Sequence, residues 1–209
     1  MMGPSRDDAL LPAIAEVLRD AHISPRDVRA VACGSGPGSF TSLRIAASLA
    51  KGLASANGAA LFAIPSLLLA AAVLNNKSGP YLLHADAMRG ERYVVRVTIE
   101  SDGEIVMSSP IRMTLDKVVA MAAREHAQLV AVGTVVGTRG CDAAAAGSAT
   151  NTDNTAIVVQ PHARNVVLLD SLFHTFGPVS LEAWEPDYGR LAEAQVKWET
   201  AHGRVLPAG

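Results

Sequence analysis

Gly34-Ser-Gly-Pro-Gly-Ser-Phe-Thr41, running directly into Ser42-Leu-Arg-Ile-Ala-Ala-Ser-Leu-Ala-Lys-Gly-Leu53, sets the architecture of this chain. It follows Val28-Arg-Ala-Val-Ala-Cys33, an apolar run with the length and β-branched content of a strand. Strand, glycine-rich turn and helix start together can aim backbone N–H groups at an anion. The same layout lets two elements approach closely, because glycine carries no Cβ. Two uses of Gly34, Gly36, Pro37, Gly38, Ser39, Phe40 and Thr41 therefore stay open. One is contact with a nucleotide phosphate or a partner loop; the other is a tight turn with close helix–strand packing.

On the N-terminal side, Leu10, Leu11, Ile14, Val17 and Leu18 recur at helical spacing and predict an amphipathic helix over 4–20. Asp7 and Asp8 suit its first turn. Ser24-Pro25 with Asp27 predicts a short helical start. On the C-terminal side the helix runs from Phe40 to Asn57, where Asn57-Gly58 is a stop signal. Leu61 to Ile64 is a short strand, and Pro65-Ser66 opens a helix to Leu74 with Ser66 as its cap.

Beyond a loop at 75–79, Tyr81–Asp86 and Arg92–Ile99 read as two strands around a polar turn. Asp102-Gly103 marks a second hairpin leading into Ile105–Met107. A helix follows over Leu115–Glu125, capped by Met113-Thr114, then a strand over Leu129–Gly133. The Gly-, Ala- and Thr-rich stretch 139–155 carries no core pattern and is expected to be a poorly ordered loop. A strand at Ile157–Val159, a helix over Ala163–Phe176 and a polar tail from Leu191, anchored by Trp184 and Trp198, complete the pattern. Alternating strands and helices predict an α/β architecture. A composition change near residue 78 predicts two parts, a helix-rich 1–78 and an α/β 79–209.

Among the 209 residues, 49% are hydrophobic but only 4% aromatic, so the core must be built from Ala, Val, Leu and Ile. A formal charge of −2 gives no basic footprint for nucleic acid. The two cysteines, Cys33 and Cys141, form no CxxC pair, and Cys33 reads as a small buried thiol. The start carries no signal-peptide pattern and no apolar run reaches a membrane span, so a cytoplasmic protein is expected. His22, His84, His126, His162, His174 and His202 show neither HxxxH nor HExxH spacing, and no GxSxG occurs. No metal site and no catalytic residue is predicted.

The segment Gly36-Pro-Gly-Ser-Phe-Thr41, with Leu43-Arg-Ile45 and Ala50-Lys-Gly-Leu53, closely resembles the signature of the bacterial TsaB (YeaZ-like) family. Leu10-Leu-Pro12, Asp86-Ala-Met-Arg-Gly-Glu-Arg-Tyr93, and Glu185-Pro-Asp-Tyr188 followed by Arg190 resemble further family pieces in the same order. The resemblance implies a two-lobed actin-like ATPase fold of the ribonuclease-H type. It implies a non-catalytic subunit for threonylcarbamoyladenosine modification of tRNA, dimerising with and supporting the catalytic TsaD. A TsaE-like ATPase would assist, the chain alone would be a homodimer, and tRNA would be met only through the complex. TsaD itself carries an HxxxH metal pair, which this sequence lacks.

The resemblance places the partner interface on helices of the first lobe. Leu11, Ile14 and Leu18, with Leu43, Arg44, Ala47 and Lys51 exposed on the second helix, are the candidates; core packing is the alternative for that small-residue face. Asp86, Arg89 and Glu91 form either a solvated turn with a surface ion pair or a partner-facing hairpin. No tightly bound cofactor is implied, although a nucleotide at the partner interface fits. TsaB chains open with a strand bearing Asp-Thr-Ser and a hairpin; neither precedes the first helix here, so a truncated first lobe is expected, with strong dimerisation or rearrangement. Two rivals are a small actin-fold ATPase or phosphotransferase using Gly34–Thr41, and a stand-alone homodimerisation module.

Overall fold

The computed structural model describes residues 9–74, 78–133, 150–152, 156–169, 176–189 and 201–203. The first helix, α1, spans Leu10–Asp20 among the described residues, and residues 4–8 of the predicted helix lie outside them. A single 3-10 turn at Pro25–Asp27 follows, with the Ser24 hydroxyl accepting from the Arg26 amide at 3.3 Å, as its sequence predicts.

β1 (Ala30–Gly34), α2 (Phe40–Asn57) and β2 (Ala60–Ile64) form a βαβ unit, the two strands pairing in parallel from Ala30↔Ala60 to Gly34↔Ile64. α2 ends as expected at Gly58, in the left-handed conformation and with its N–H on the Ala54 carbonyl. Leu43, Ala47, Ala50 and Ala54 form its buried stripe. The small side chains of Ala50 and Ala54 let α2 lie close to β1 and β2, where Cys33, Ala59 and Leu61 complete a core. Among the described residues, β1 has no strand partner on its other edge; β2 meets Val179 in a single antiparallel bridge at Leu61.

α3 (Ser66–Ala71), extended by a 3-10 turn to Leu74, leads into the larger sheet. Its strands are β3 (Gly79–Asp86), β4 (Glu91–Ile99), β5 (Ile105–Met107), β6 (Ile111–Thr114), β7 (Gln128–Val132), β8 (Thr150–Thr152) and β9 (Ala156–Val159). Their order is β5-β4-β3-β7-β9-β8, with β6 also pairing with β4. β3 is antiparallel to β4 and parallel to β7, which is parallel to β9. Side chains alternate strictly: Tyr81, Leu83, Val95 and Val97 face α3, whereas Leu82 and Val94 face Val118 and Met121 of α4 (Leu115–Glu125). Both faces are covered, which accounts for the near-continuous apolar runs of β3 and β4.

Four sequence expectations change. Ser66 does not cap α3: Pro65 holds that position, and the Ser66 hydroxyl bonds the Gly36 amide instead. Met113-Thr114 belongs to strand β6, and Thr114 precedes α4 without a side-chain cap. Within 139–155, Thr150–Thr152 pairs with β9 as a strand rather than a loop; the rest, including Cys141, lies outside the described residues. Ala163–Leu169 is a 3-10 helix, not an α-helix, and it carries the buried Asn165, whose amide nitrogen donates to the Leu69 carbonyl at 2.8 Å. Of the two tail anchors, Trp184 packs beside α2 and Trp198 lies outside the described residues.

Candidate functional site

The glycine loop is closed on itself and on two distant segments. The Ser35 amide donates to the Ile64 carbonyl at 2.8 Å, and the Gly36 carbonyl accepts from the Ser66 amide at 2.8 Å. The Gly36 amide donates to Ser66 Oγ at 3.1 Å. From the C-terminal segment, the Asp187 amide donates to the Ser35 carbonyl at 2.7 Å. Gly36 sits at φ +101°, and a Cβ there would collide with the Asp187 carbonyl. Of the two uses of the loop left open by the sequence, close packing is the one this geometry builds: the Ser35 and Gly36 amides already have partners inside the protein. Ser39 starts α2 without a side-chain cap, and Thr41 is exposed.

The segment from Trp184 to Gly189 also lies along one ridge of α2. Tyr188 packs on Phe40 with ring centroids 4.5 Å apart, and the Arg44 guanidinium lies 5.3 Å from the Phe40 ring centre. Lys51 bonds Glu185 at 3.3 Å and lies 5.7 Å from the centre of the Trp184 ring. Tyr93 donates to the Tyr188 carbonyl at 3.2 Å. The predicted interface residues of α2 thus divide. Leu43 and Ala47 are buried rather than exposed, and Lys51 is engaged by the chain's own C-terminal segment; Arg44 remains exposed. The Lys51–Glu185 and Phe40–Tyr188 contacts join residues more than 130 apart in sequence, and the glycine and tyrosine signals at the two ends are their local trace.

α1 is different in kind. None of its residues is buried; Leu11 is 60% and Val17 67% exposed, with Ile14 and Leu18 half-buried on the same helix. Its apolar residues are thus largely open to solvent.

The hairpin between β3 and β4 turns on Met88, Arg89 and Gly90, all in the left-handed region. Asp86 Oδ1 accepts from the Met88 amide at 3.2 Å and stands 3.7 Å from Arg92, while Glu91 pairs with Arg112 at 3.3 Å. Arg89 is exposed at the tip. Asp86 and Glu91 therefore do what an exposed turn asks of them, holding its backbone and neutralising neighbouring arginines.

Sequence patterning gave no role to His84. It lies on β3 on the α4 side, is 7% exposed, and its Nδ1 finds no partner among the described residues. Burial, and then the charge of Arg92, lower its pKa to about 4. An unpaired buried ring nitrogen costs about 1–3 kcal/mol. Alternation along β3 puts position 84 on that face, but only the fold shows what stands there. Among the described residues, no group of three His, Cys, Asp or Glu is gathered as a metal site requires, and no helix is long and apolar enough to cross a membrane.

Comparison with known families now adds to this geometry. A family model described as TsaD, tRNA N6-adenosine threonylcarbamoyltransferase, matches residues 6–170. The chain belongs to this family. Within the family it is TsaB/YeaZ-like. It is 26% identical over 199 residues to the tRNA threonylcarbamoyladenosine biosynthesis protein TsaB of Bacillus subtilis, covering 90% of this chain and 81% of that protein. With the protein of the same name from Escherichia coli it shares 32% identity over 96 residues, 45% of this chain and 42% of the relative. The solved structure of YeaZ from Pseudomonas aeruginosa superposes with a TM-score of 0.65 at 22% identity, over 89% of this chain and 85% of that one. The fold is accordingly the actin-like, ribonuclease-H-like α/β fold of this family.

Proposed function

We propose that the chain is a TsaB-type accessory subunit in the biosynthesis of threonylcarbamoyladenosine on tRNA, without chemistry of its own, that dimerises with and supports a TsaD-like catalytic subunit. The observation that carries this reading is the TsaB relative matched over 90% of the chain. The geometry adds support. The glycine loop is engaged by Ser66 and Asp187, and α1 offers an exposed apolar face to a partner. Docking therefore uses Leu11, Ile14 and Leu18 with Val17 beside them, and Arg44 at the exposed start of α2. Leu43 and Ala47 are buried in the chain itself and Lys51 is held by Glu185, so the docking surface does not include them.

The edge of β1 that has no strand partner among the described residues, and the open face of α1, suit pairing with a second copy when TsaD is absent. A net charge of −2 suits a subunit that meets tRNA through the complex, in the cytoplasm, and not by itself. A TsaE-like ATPase and a nucleotide at the partner interface belong to the same proposal. The test is complementation. A strain depleted of its own TsaB recovers threonylcarbamoyladenosine in its tRNA when this chain is supplied with its cognate TsaD. Absence of recovery with both proteins folded and present contradicts the assignment.

A further inference from the structure

The assembly reading makes no use of a cleft of about 690 Å³ that lies over the carboxyl ends of β3 and β7. Ala85 and Asp86 end one strand there, Val132 and Gly133 follow the other, and Pro37 and Ser66 approach from the glycine loop. In open α/β sheets the crevice outside the carboxyl ends of parallel strands is where ligands sit. The volume falls within the range of about 300–1,000 Å³ typical of small-molecule sites.

The two walls differ in chemistry. On one, Leu115 and Val119 of α4 stand 40% and 50% exposed. The other carries His84, Asp86 and Arg92. His84 is more than nine-tenths buried and lines the cleft; its Nδ1, itself buried, has no partner among the described residues. Because its imidazole is kept neutral, it offers one N–H donor and one lone pair. Arg92 stands 3.7 Å from Asp86, longer than a hydrogen bond, so its guanidinium keeps donors for another acceptor. Asp86 is already committed to the Met88 amide at the rim.

We propose that this cleft binds a small molecule bearing a carboxylate or phosphate on an apolar body. Arg92 grips the oxyanion, His84 bonds the polar atom beside it, and Leu115 with Val119 covers the apolar end. The site is independent of α1 and of any partner, so it stands or falls separately from the assembly reading.

The experiment is a titration of the full chain, labelled with ¹⁵N at histidine, with phenyl phosphate, benzoate, benzyl alcohol and inorganic phosphate. The His84 ring signals should move saturably with phenyl phosphate or benzoate, and the one that binds tells whether the oxyanion is phosphate or carboxylate. Arg92→Gln should weaken that binding about tenfold or more, with Arg92→Lys recovering part of it. Val119→Glu, at an exposed position on the opposite wall, should weaken it also, by charge repulsion. The proposal is overturned if neither aromatic anion shifts His84, if benzyl alcohol or inorganic phosphate binds equally well, or if Arg92→Gln leaves the affinity unchanged.

Discussion

The carbonyl of Asp187 occupies the space that a side chain on Gly36 would need, while the Asp187 amide bonds the neighbouring Ser35 carbonyl at 2.7 Å. Two segments about 150 residues apart therefore share one interlocked backbone contact. Gly36→Ala is expected to destabilise the chain by about 2–4 kcal/mol, from a strained left-handed φ plus the collision. Chemical denaturation monitored through Trp184 checks it; a loss under about 0.5 kcal/mol would mean that the segments are not locked in this way.

Gly52 gives the opposite expectation. It lies inside α2, is exposed, and has nothing within 4 Å of a Cβ placed on it. Gly52→Ala should stabilise by about 0.5–1 kcal/mol, since alanine loses less backbone entropy in a helix. A fall in melting temperature for this variant would show that the position faces something other than solvent.

How far the sequence reached can be judged from these same elements. The extent of α2 followed from apolar and small residues closed by Asn57-Gly58, and the β3–β4 hairpin from two β-rich runs around a polar turn, because each is a local signal. Strand β6 escaped notice: four residues of Ile-Arg-Met-Thr abutting a helix carry too little periodicity to stand apart from it. The burial of Leu43 and Ala47 also lay beyond local reasoning. A stripe of small residues says that something approaches closely, not whether the neighbour is a partner chain or β1 and β2. The seating of Tyr188 on Phe40, and the unpartnered nitrogen of His84, depend on residues brought together only by the complete topology.

Asn165 ties the 3-10 helix to α3 through its bond to the Leu69 carbonyl, and it is 4% exposed. Replacing it with Leu removes that donor and takes one hydrogen bond from a carbonyl in the core. The expected cost is about 1–3 kcal/mol in urea unfolding, with no change in m. An unchanged midpoint would mean that the carbonyl finds water.

His84 makes stability depend on pH. Its pKa in the folded chain, about 4, lies below the ordinary 6.5 because burial, then Arg92, disfavours the charged ring. Above pH 6.5 both folded and unfolded forms are neutral there and the residue adds no pH dependence. As pH falls from 6.5 towards 4, the unfolded chain takes up a proton that the folded chain refuses, so stability drops. The loss attributable to His84 reaches about 2–3 kcal/mol. His84→Leu should remove that slope, so the stability difference between parent and variant changes across this window. A difference that stays constant from pH 4 to pH 7 would contradict the assignment.

The open face of α1 bears most directly on function. Leu11→Glu combined with Val17→Glu should leave the fold intact, since both positions are well exposed, and should abolish association. The decisive measurement is light scattering on the chain alone and mixed with its cognate TsaD. The account predicts a homodimer alone that gives way to a 1:1 complex on mixing, with both species lost in the double variant. A chain whose mass is unchanged by TsaD, or a complex indifferent to both substitutions, would contradict it.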